Sequence, residues 1–309
     1  MMRVLVTGGT GFVGRQILRE LRDAGHGTFL LARKPDSAAA RAIAREFSAT
    51  IRAGDILNPD SLANACHGID AVINLVGIIS EVGKQTFEHV HTRGTRHIVA
   101  AAQSGGVQRF IQMSALGTRA NAVARYHQTK WAAEEIVRGS ELDWTIFRPS
   151  IIYGAGDGFV NLFARLSRFS PVVPLIGGGR MKLQPIAVES VAEAFVKSLN
   201  EPRAVGQTFA LCGQEVLTLA EIVDAILATT RRRRIKLTLP FGVARVQAAL
   251  LEFVCGKLLG QAPPLNRDQL LMLQEDNVGD CSRTAEVFEL RQIRFSEGIA
   301  SYLNMRHQS

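Results

Sequence analysis

The sequence predicts an α/β protein: a doubly wound parallel sheet followed by a smaller, helix-rich carboxyl-terminal lobe. Three observations predict it. Short β-branched runs alternate with helical patterns through the first half, which is the rhythm of βαβ units. A glycine-rich turn, Thr7–Gly14, joins the first apolar run to the first helical pattern. After Pro149 the alternation gives way to mainly helical periodicity.

Taken in order, Val4–Thr7 reads as the first strand and Gly14–Ala24 as a helix with Ile17, Leu18 and Leu21 on one face. Strands follow at Thr28–Ala32, Thr50–Ala53, Ala71–Leu75, Arg109–Met113 and Thr145–Arg148, the last stopping at Pro149. Helices are expected at Ala38–Phe47, at Asp60–Cys66 with Asp60 or Asn58 as cap, at Thr86–Ser104 and at Lys130–Arg138. Beyond Pro149, Gly154–Gly158 and Gly177–Gly179 read as loops. Val160–Arg168, Val188–Leu199, Leu219–Ala228 and Phe241–Leu259 read as helices. Thr208–Leu211 is expected to return to the main sheet. The expected division is therefore residues 1–150, with returning segments near 185–211, and an interleaved lobe over 151–309 for substrate or partner.

Composition narrows the class. With 47% hydrophobic and 21% charged residues, the 309-residue chain has the balance of a globular protein rather than a disordered one. A net charge of +8 suits an anionic partner. Nucleic acid is not expected, because only Arg231–Arg234 form a basic run and no nucleic-acid motif accompanies them. Cys66, Cys212, Cys255 and Cys281 lack metal-ligand spacing, so no metal is expected and they read as thiols of a reducing cytoplasm. The first apolar run leads straight into glycines, which is not the pattern of a signal peptide. No run of roughly 18 apolar residues spans a membrane.

The turn Thr7-Gly8-Gly9-Thr10-Gly11-Phe12-Val13-Gly14 has the spacing GxxGxxG. Glycines there let the backbone turn tightly and approach a pyrophosphate, while the helix that follows aims free N–H groups at it. Set after a strand and before an amphipathic helix, this predicts a Rossmann-type dinucleotide site. Gly8, Thr10, Gly11, Phe12, Val13 and Gly14 are its expected contacts. Where an acid would hold the ribose of NAD, the second strand ends in Leu31-Ala32-Arg33-Lys34. Arg33 suits a 2′-phosphate, so NADP is the expected cofactor, with NAD as the alternative. Asp55 and Ile56 after the third strand, Leu75, Val76 and Gly77 after the fourth, and Pro149 after the sixth complete the expected cofactor contacts.

Tyr126 and Lys130 form a YxxxK pair, four residues apart and so on one helix face. A lysine cation beside the phenol is expected to lower its pKa, fitting Tyr126 to exchange a proton with a carbonyl or alcohol while a nicotinamide exchanges hydride. Lys130 is also expected to reach the nicotinamide ribose. Ser114, closing the fifth strand, is a candidate hydrogen-bond donor to the substrate oxygen, with a strand-end cap as the alternative.

Together these residues resemble the short-chain dehydrogenase/reductase superfamily in its extended and atypical, epimerase/dehydratase-like branches. The glycine turn, Asp55, Ser114, Tyr126/Lys130 and Arg148-Pro149-Ser150-Ile151-Ile152-Tyr153-Gly154 match in order. Phe110–Gly117, Leu183-Gln184-Pro185-Ile186 and Pro264-Leu265-Asn266-Arg267-Asp268-Gln269 more narrowly resemble bacterial relatives of the nucleotide-binding accessory subunit of respiratory complex I. The superfamily resemblance implies oxidation, reduction, epimerisation or dehydration with NAD(P). The narrower one implies a nucleotide kept for structure in an accessory or assembly factor. Two departures stand out: Ala115 follows Ser114 where such enzymes carry several hydroxyl residues, and His91 stands where an asparagine is usual.

Three functions remain in view. The first is an NADP-dependent oxidoreductase on a small or lipophilic carbonyl or alcohol. The second is a non-catalytic nucleotide-binding factor of a respiratory or quinone-synthesising complex. The third is a sugar-nucleotide epimerase or dehydratase, disfavoured by the apolar carboxyl-terminal lobe. The run Phe241–Leu259 beside Arg231–Arg234 and Lys236 is expected to pack on that lobe with a solvated basic turn. The alternative is a peripheral seat on the inner face of an anionic membrane. The oligomeric state is left open.

Overall fold

A computed structural model describes residues 1–304, leaving aside the side chains at 257 and 258. It begins with alternating elements: β1 (Arg3–Thr7), α1 (Phe12–Asp23), β2 (Gly27–Ala32), α2 (Ala38–Glu46), β3 (Thr50–Ala53), β4 (Ala71–Asn74), α3 (Gly94–Ser104), β5 (Arg109–Met113), α4 (Arg125–Arg138) and β6 (Asp143–Pro149). Short strands and longer helices follow: β7 (Ile152–Tyr153), α5 (Val160–Phe169), β8 (Val172–Ile176), β9 (Lys182–Leu183), β10 (Ile186–Ala187), α6 (Val188–Lys197), β11 (Gln207–Leu211), β12 (Leu217–Thr218) and α7 (Leu219–Thr229). The described chain ends with β13 (Ile235–Leu239), α8 (Phe241–Leu251), α9 (Arg267–Met272), α10 (Ser282–Phe288) and α11 (Phe295–Leu303).

The main sheet has seven parallel strands in the order β11-β6-β5-β4-β1-β2-β3. The crossover from β3 to β4 reverses the direction of winding, so a crevice opens at the carboxyl ends of β1 and β4. Side chains alternate across the sheet. Val4 and Val6 pack with Ile17, Leu18 and Leu21 of α1 and with Phe195 of α6. Leu5, between them, packs on the other face with Val72, Ile98 and Phe110. Both faces are buried, as a parallel sheet requires. The return of 208–211 is observed: β11 pairs with β6, Phe209 opposite Phe147.

Several local readings are corrected. The helix expected at Asp60–Cys66 is a single 3₁₀ turn, Pro59–Leu62, without a side-chain cap from Asn58. The helix expected from Thr86 to Ser104 is observed from Phe87 without a break, its first turns widened into a π segment at Glu88–Arg93 before α3. Gly177–Gly179 is a short 3₁₀ turn. The helix expected from Lys130 begins five residues earlier, so Tyr126 and Lys130 share α4. Strands β8 and β13 had no clear signal. Pro174 interrupts one and Lys236 lies in the other, yet they pair in parallel from Ile235↔Val172 to Leu239↔Ile176.

Phe241–Leu259 is α-helical to Leu251 and then π-helical over Glu252–Leu258. The expected packing of this segment holds only for a narrow face, where Ala244 and Ala248 are buried with Leu270. Val243, Val246, Leu250 and Phe253 are exposed by half or more. Nor is the basic run simply solvated. Arg232 and Arg234 fold back onto the carboxyl-terminal half of α5, donating to Ala164 O (3.0 Å) and Ser167 O (2.7 Å), toward the helix end that favours cations. Among the described residues, no helix is long and apolar enough to cross a membrane.

Candidate nucleotide and active site

A cavity of about 900 Å³ opens at the crevice. Gly8, Thr10, Gly11, Phe12, Val13, Gly14, Arg33, Asp55, Ile56, Leu75, Val76 and Gly77 line it. Lys130 and Pro149 do not line it; Pro149 is buried at the end of β6, where its carbonyl accepts from Leu116 N–H (2.8 Å). Lys34, Ser37, Gln85 and Met113 line it as well, which the sequence reading missed. Ser37 carried a signal, since it sits directly before an expected helix and its Oγ caps α2 by accepting from Ala40 N–H (3.2 Å).

The glycine turn fits a dinucleotide. Gly8 adopts φ +70°, which side chains resist. A Cβ on Gly14 would fall 2.4 Å from Gly8 O, so only glycine lets α1 close on the turn. Gly11 caps α1 without any side-chain hydrogen bond, and the first helical turn carries no acid. The first N–H groups of α1 are thus left for a phosphate. At the far rim Arg33 and Lys34 are exposed, and among the described residues neither is in an ion pair. Asp55 is partly committed, its Oδ1 accepting from Leu57 N–H (3.0 Å).

A chain of buried hydrogen bonds ties the strand ends beneath this cavity. Thr7 Oγ1 donates to Asn74 Oδ1 (2.6 Å), Asn74 Nδ2 to Gln112 Oε1 (2.8 Å), and Gln112 Nε2 to Met113 O (3.2 Å). Lys130 Nζ donates to the same carbonyl (3.1 Å) and lies so close to Gly77 that a Cβ there would stand 3.0 Å from it. Lys130 therefore reaches the cavity's end through two lining residues, Gly77 and Met113. Burial lowers its pKa to about 8, against the opposing pull of Glu134.

Tyr126 does not match its expected electrostatics. Its phenol pKa is raised to about 12 by burial rather than lowered by Lys130. The ring sits edge-on to Phe87, His91 and His127, at centroid distances of 5.9, 5.2 and 5.2 Å. Its hydroxyl has no hydrogen-bond partner among the described residues. His91, from the π turn, links the two sides of the site: Nε2 accepts from Ile78 N–H (3.1 Å) and Nδ1 meets Thr129 Oγ1 (3.0 Å). Burial and the Lys130 charge lower its pKa to about 2, so it is a neutral strut.

Ser114 is turned away from the cavity. Its hydroxyl donates to Glu134, a fully buried carboxylate that also accepts from Arg148 Nε (2.8 Å) and from Arg138 (2.6 Å). The Ser114 hydroxyl thus has a buried acid as its partner.

The carboxyl-terminal motifs act as clamps. Asn266 Nδ2 donates to Ile79 O (2.9 Å) and Ser80 Oγ (2.8 Å), beyond β4. Asp268 accepts from the N–H groups of Arg125 and Tyr126, capping α4. Gln184 bridges Gly213 O (2.9 Å) and Gly279 N–H (3.2 Å). The residues of the narrower resemblance thus hold α4 and the loops around it.

Known proteins agree with this architecture. Residues 8–202 match the NAD(P)H-binding family. The chain is 30% identical over 280 residues to "NADH dehydrogenase [ubiquinone] 1 alpha subcomplex subunit 9, mitochondrial" of Arabidopsis thaliana, covering 88% of this chain and 70% of that protein. It is 29% identical over 221 residues to "Ceramide reductase" of Caulobacter vibrioides, covering 72% and 64%. Among solved structures, a UDP-glucuronic acid 4-epimerase from Bacillus cereus, in complex with UDP-glucuronic acid and NAD, superposes with a TM-score of 0.74. It is 18% identical and 99% of each chain is covered, a likeness of fold alone. The chain belongs to the NAD(P)H-binding family and has a Rossmann architecture like that of the NAD-bound epimerase.

Proposed function

We propose that the chain is an NADP-dependent oxidoreductase that reduces a lipophilic carbonyl, with the residues beyond 150 that do not return to the main sheet forming its substrate lobe. The observation that carries this reading is the place of Lys130 at the end of the nucleotide cavity, with the unpartnered hydroxyl of Tyr126 one helical turn away. A bound nicotinamide supplies hydride chemistry. The residues supply the rest. The α1 amino terminus holds the pyrophosphate, and Arg33 and Lys34 take the 2′-phosphate. Lys130 donates to the nicotinamide ribose. A phenol with a pKa of about 12 is fully protonated at neutral pH, so Tyr126 is poised to give its proton to a carbonyl oxygen rather than to take one. The relative named ceramide reductase supports a lipophilic substrate. NADPH oxidation in the presence of long-chain ketones tests the reading. Turnover by the parent and its loss in Tyr126→Phe are expected, and a Tyr126→Phe protein of full activity sinks the assignment.

A second reading rests on the relative that is a subunit of a mitochondrial NADH dehydrogenase. On it, the chain keeps its nucleotide as a structural element of a respiratory or quinone-synthesising assembly. The exposed apolar side of α8, with Arg231 and Arg233 exposed and outside any ion pair among the described residues, supports a peripheral seat on an anionic membrane.

A further inference from the structure

A second cavity, of about 400 Å³, shares no lining residue with the nucleotide cavity. One face of α5 supplies Asn161, Arg165 and Arg168, spaced i, i+4 and i+7. Arg232 enters from the turn after α7, and Leu303 closes the cavity from the end of α11.

Its charge is unbalanced. The one carboxylate in the lining, Asp157, is saturated. Oδ1 accepts from the N–H groups of Val160 (2.6 Å) and Asn161 (3.4 Å). Oδ2 accepts from Gly154 N–H (3.2 Å), Asn161 Nδ2 (3.3 Å) and the Tyr302 hydroxyl (2.9 Å). Among the described residues no carboxylate stands within ion-pair distance of Arg165, Arg168 or Arg232. Arg232 is held in place by Ala164 O (3.0 Å) and Ser167 Oγ (3.2 Å), and its pKa is lowered by burial and by the charges of Arg234 and Arg168. Arg168 lies 5.5 Å over the Phe169 ring. An anion among these guanidinium groups would relieve their repulsion and match their forked donors.

The Oδ1 of Asn161 is buried with no donor among the described residues, while its Nδ2 is committed to Asp157. The free atom is an acceptor, and a ligand hydroxyl would satisfy it.

We propose that this cavity binds a phosphate monoester carrying a neighbouring hydroxyl. Arg165, Arg168 and Arg232 take the phosphate oxygens, and the hydroxyl donates to Asn161 Oδ1. A monoester carries a charge of about −1.5 to −2 at neutral pH, which suits three arginines better than a single carboxylate does. The ligand is either a soluble ester or a lipid headgroup of the same chemistry.

The test is calorimetric titration of the full chain, saturated with NADPH, with sn-glycerol 3-phosphate. Saturable binding is expected, weakened about tenfold or more in the double variant Arg165→Gln/Arg168→Gln. Both side chains are exposed and make no hydrogen bond within the protein, so the variant keeps its fold and its nucleotide affinity. Propyl phosphate, which lacks the hydroxyl, is expected to bind more weakly, and equal binding overturns the role of Asn161. A short-chain lysophosphatidate below its micelle concentration separates the sources: tighter binding than glycerol 3-phosphate supports the site with a lipid headgroup, equal binding supports it with a soluble ester. No saturable binding of either, or binding unchanged in the double variant, overturns the proposal.

Discussion

Asp268 accepts the main-chain N–H groups of Arg125 at 2.8 Å and Tyr126 at 2.9 Å, so a carboxylate 142 residues beyond Tyr126 caps the helix that carries the candidate chemistry. Ala124, the local cap residue, offers no side-chain acceptor. The carboxylate also suits the positive end of the helix dipole.

Asp268→Ala is therefore expected to cost about 1 kcal/mol in chemical denaturation, and Asp268→Asn much less, since the amide oxygen still accepts. Because Tyr126 sits in the uncapped turn, turnover should fall more than stability does. Equal stability of the parent and the alanine variant counts against the cap.

Cofactor choice is expected to follow Arg33 and Lys34. NADPH should bind more tightly than NADH in calorimetry. Arg33→Ala should lose about tenfold or more in NADPH affinity with NADH unaffected, as expected for a charge-assisted pair with phosphate. Lys34→Ala should lose less, because an ammonium lacks the planar fork. Equal affinities in the parent would falsify this assignment.

Lys130 is expected to trade stability for function. Its folded pKa, about 8, lies below the ordinary 10.5. The unfolded chain holds more protons between those values, so stability rises with pH through that window, and the full cost of the buried charge is present below about pH 8. Lys130→Met should thus stabilise the protein at pH 7, by up to about 3 kcal/mol, while abolishing turnover. Parent and variant should converge as the pH approaches 10.5. A variant less stable at pH 7 would show that the ammonium is a net stabiliser.

Ser114→Ala is expected to keep turnover within a few fold and to lose about 1–2 kcal/mol of stability, because its hydroxyl serves Glu134. Glu134→Ala should cost about 3–5 kcal/mol, since it strands the guanidinium of Arg148. Loss of turnover in a stable Ser114→Ala protein would return the serine to the chemistry.

Membrane binding is expected to depend on Arg231 and Arg233 rather than on the whole basic run, since Arg232 and Arg234 are turned onto α5. Co-sedimentation with anionic vesicles should be reversible and salt-sensitive, each exposed arginine adding about 1 kcal/mol. It should weaken in Arg231→Ser/Arg233→Ser and in Leu250→Ser, and neutral vesicles should bind little. A protein left in the supernatant with anionic vesicles at low salt has no such seat.

Local patterns carried the sheet and the nucleotide cavity. The β-branched runs, the glycine turn and the Arg33-Lys34 strand end are contiguous in sequence, and their physics is short-range: strand alternation, helix amphipathicity and the left-handed backbone at Gly8. The resemblance to extended dehydrogenases rests on that glycine turn together with Asp55, Ser114, Tyr126, Lys130 and the segment Arg148–Gly154.

What only the tertiary structure decided lies where distant segments meet. Tyr126 was expected to feel the lysine four residues away, but a shell from Phe87, His91 and His127 buries it, and desolvation moves its pKa up rather than down. Ser114 was legible as a hydroxyl at a strand end, whereas its partner Glu134 follows from how α4 lies on β5 and β6. The cap from Asp268 and the strut of His91 likewise join residues far apart in the chain. Periodicity reports which face of an element is buried. A side chain's pKa and hydrogen-bond partner depend on what buries it, and that is set only once the elements have packed.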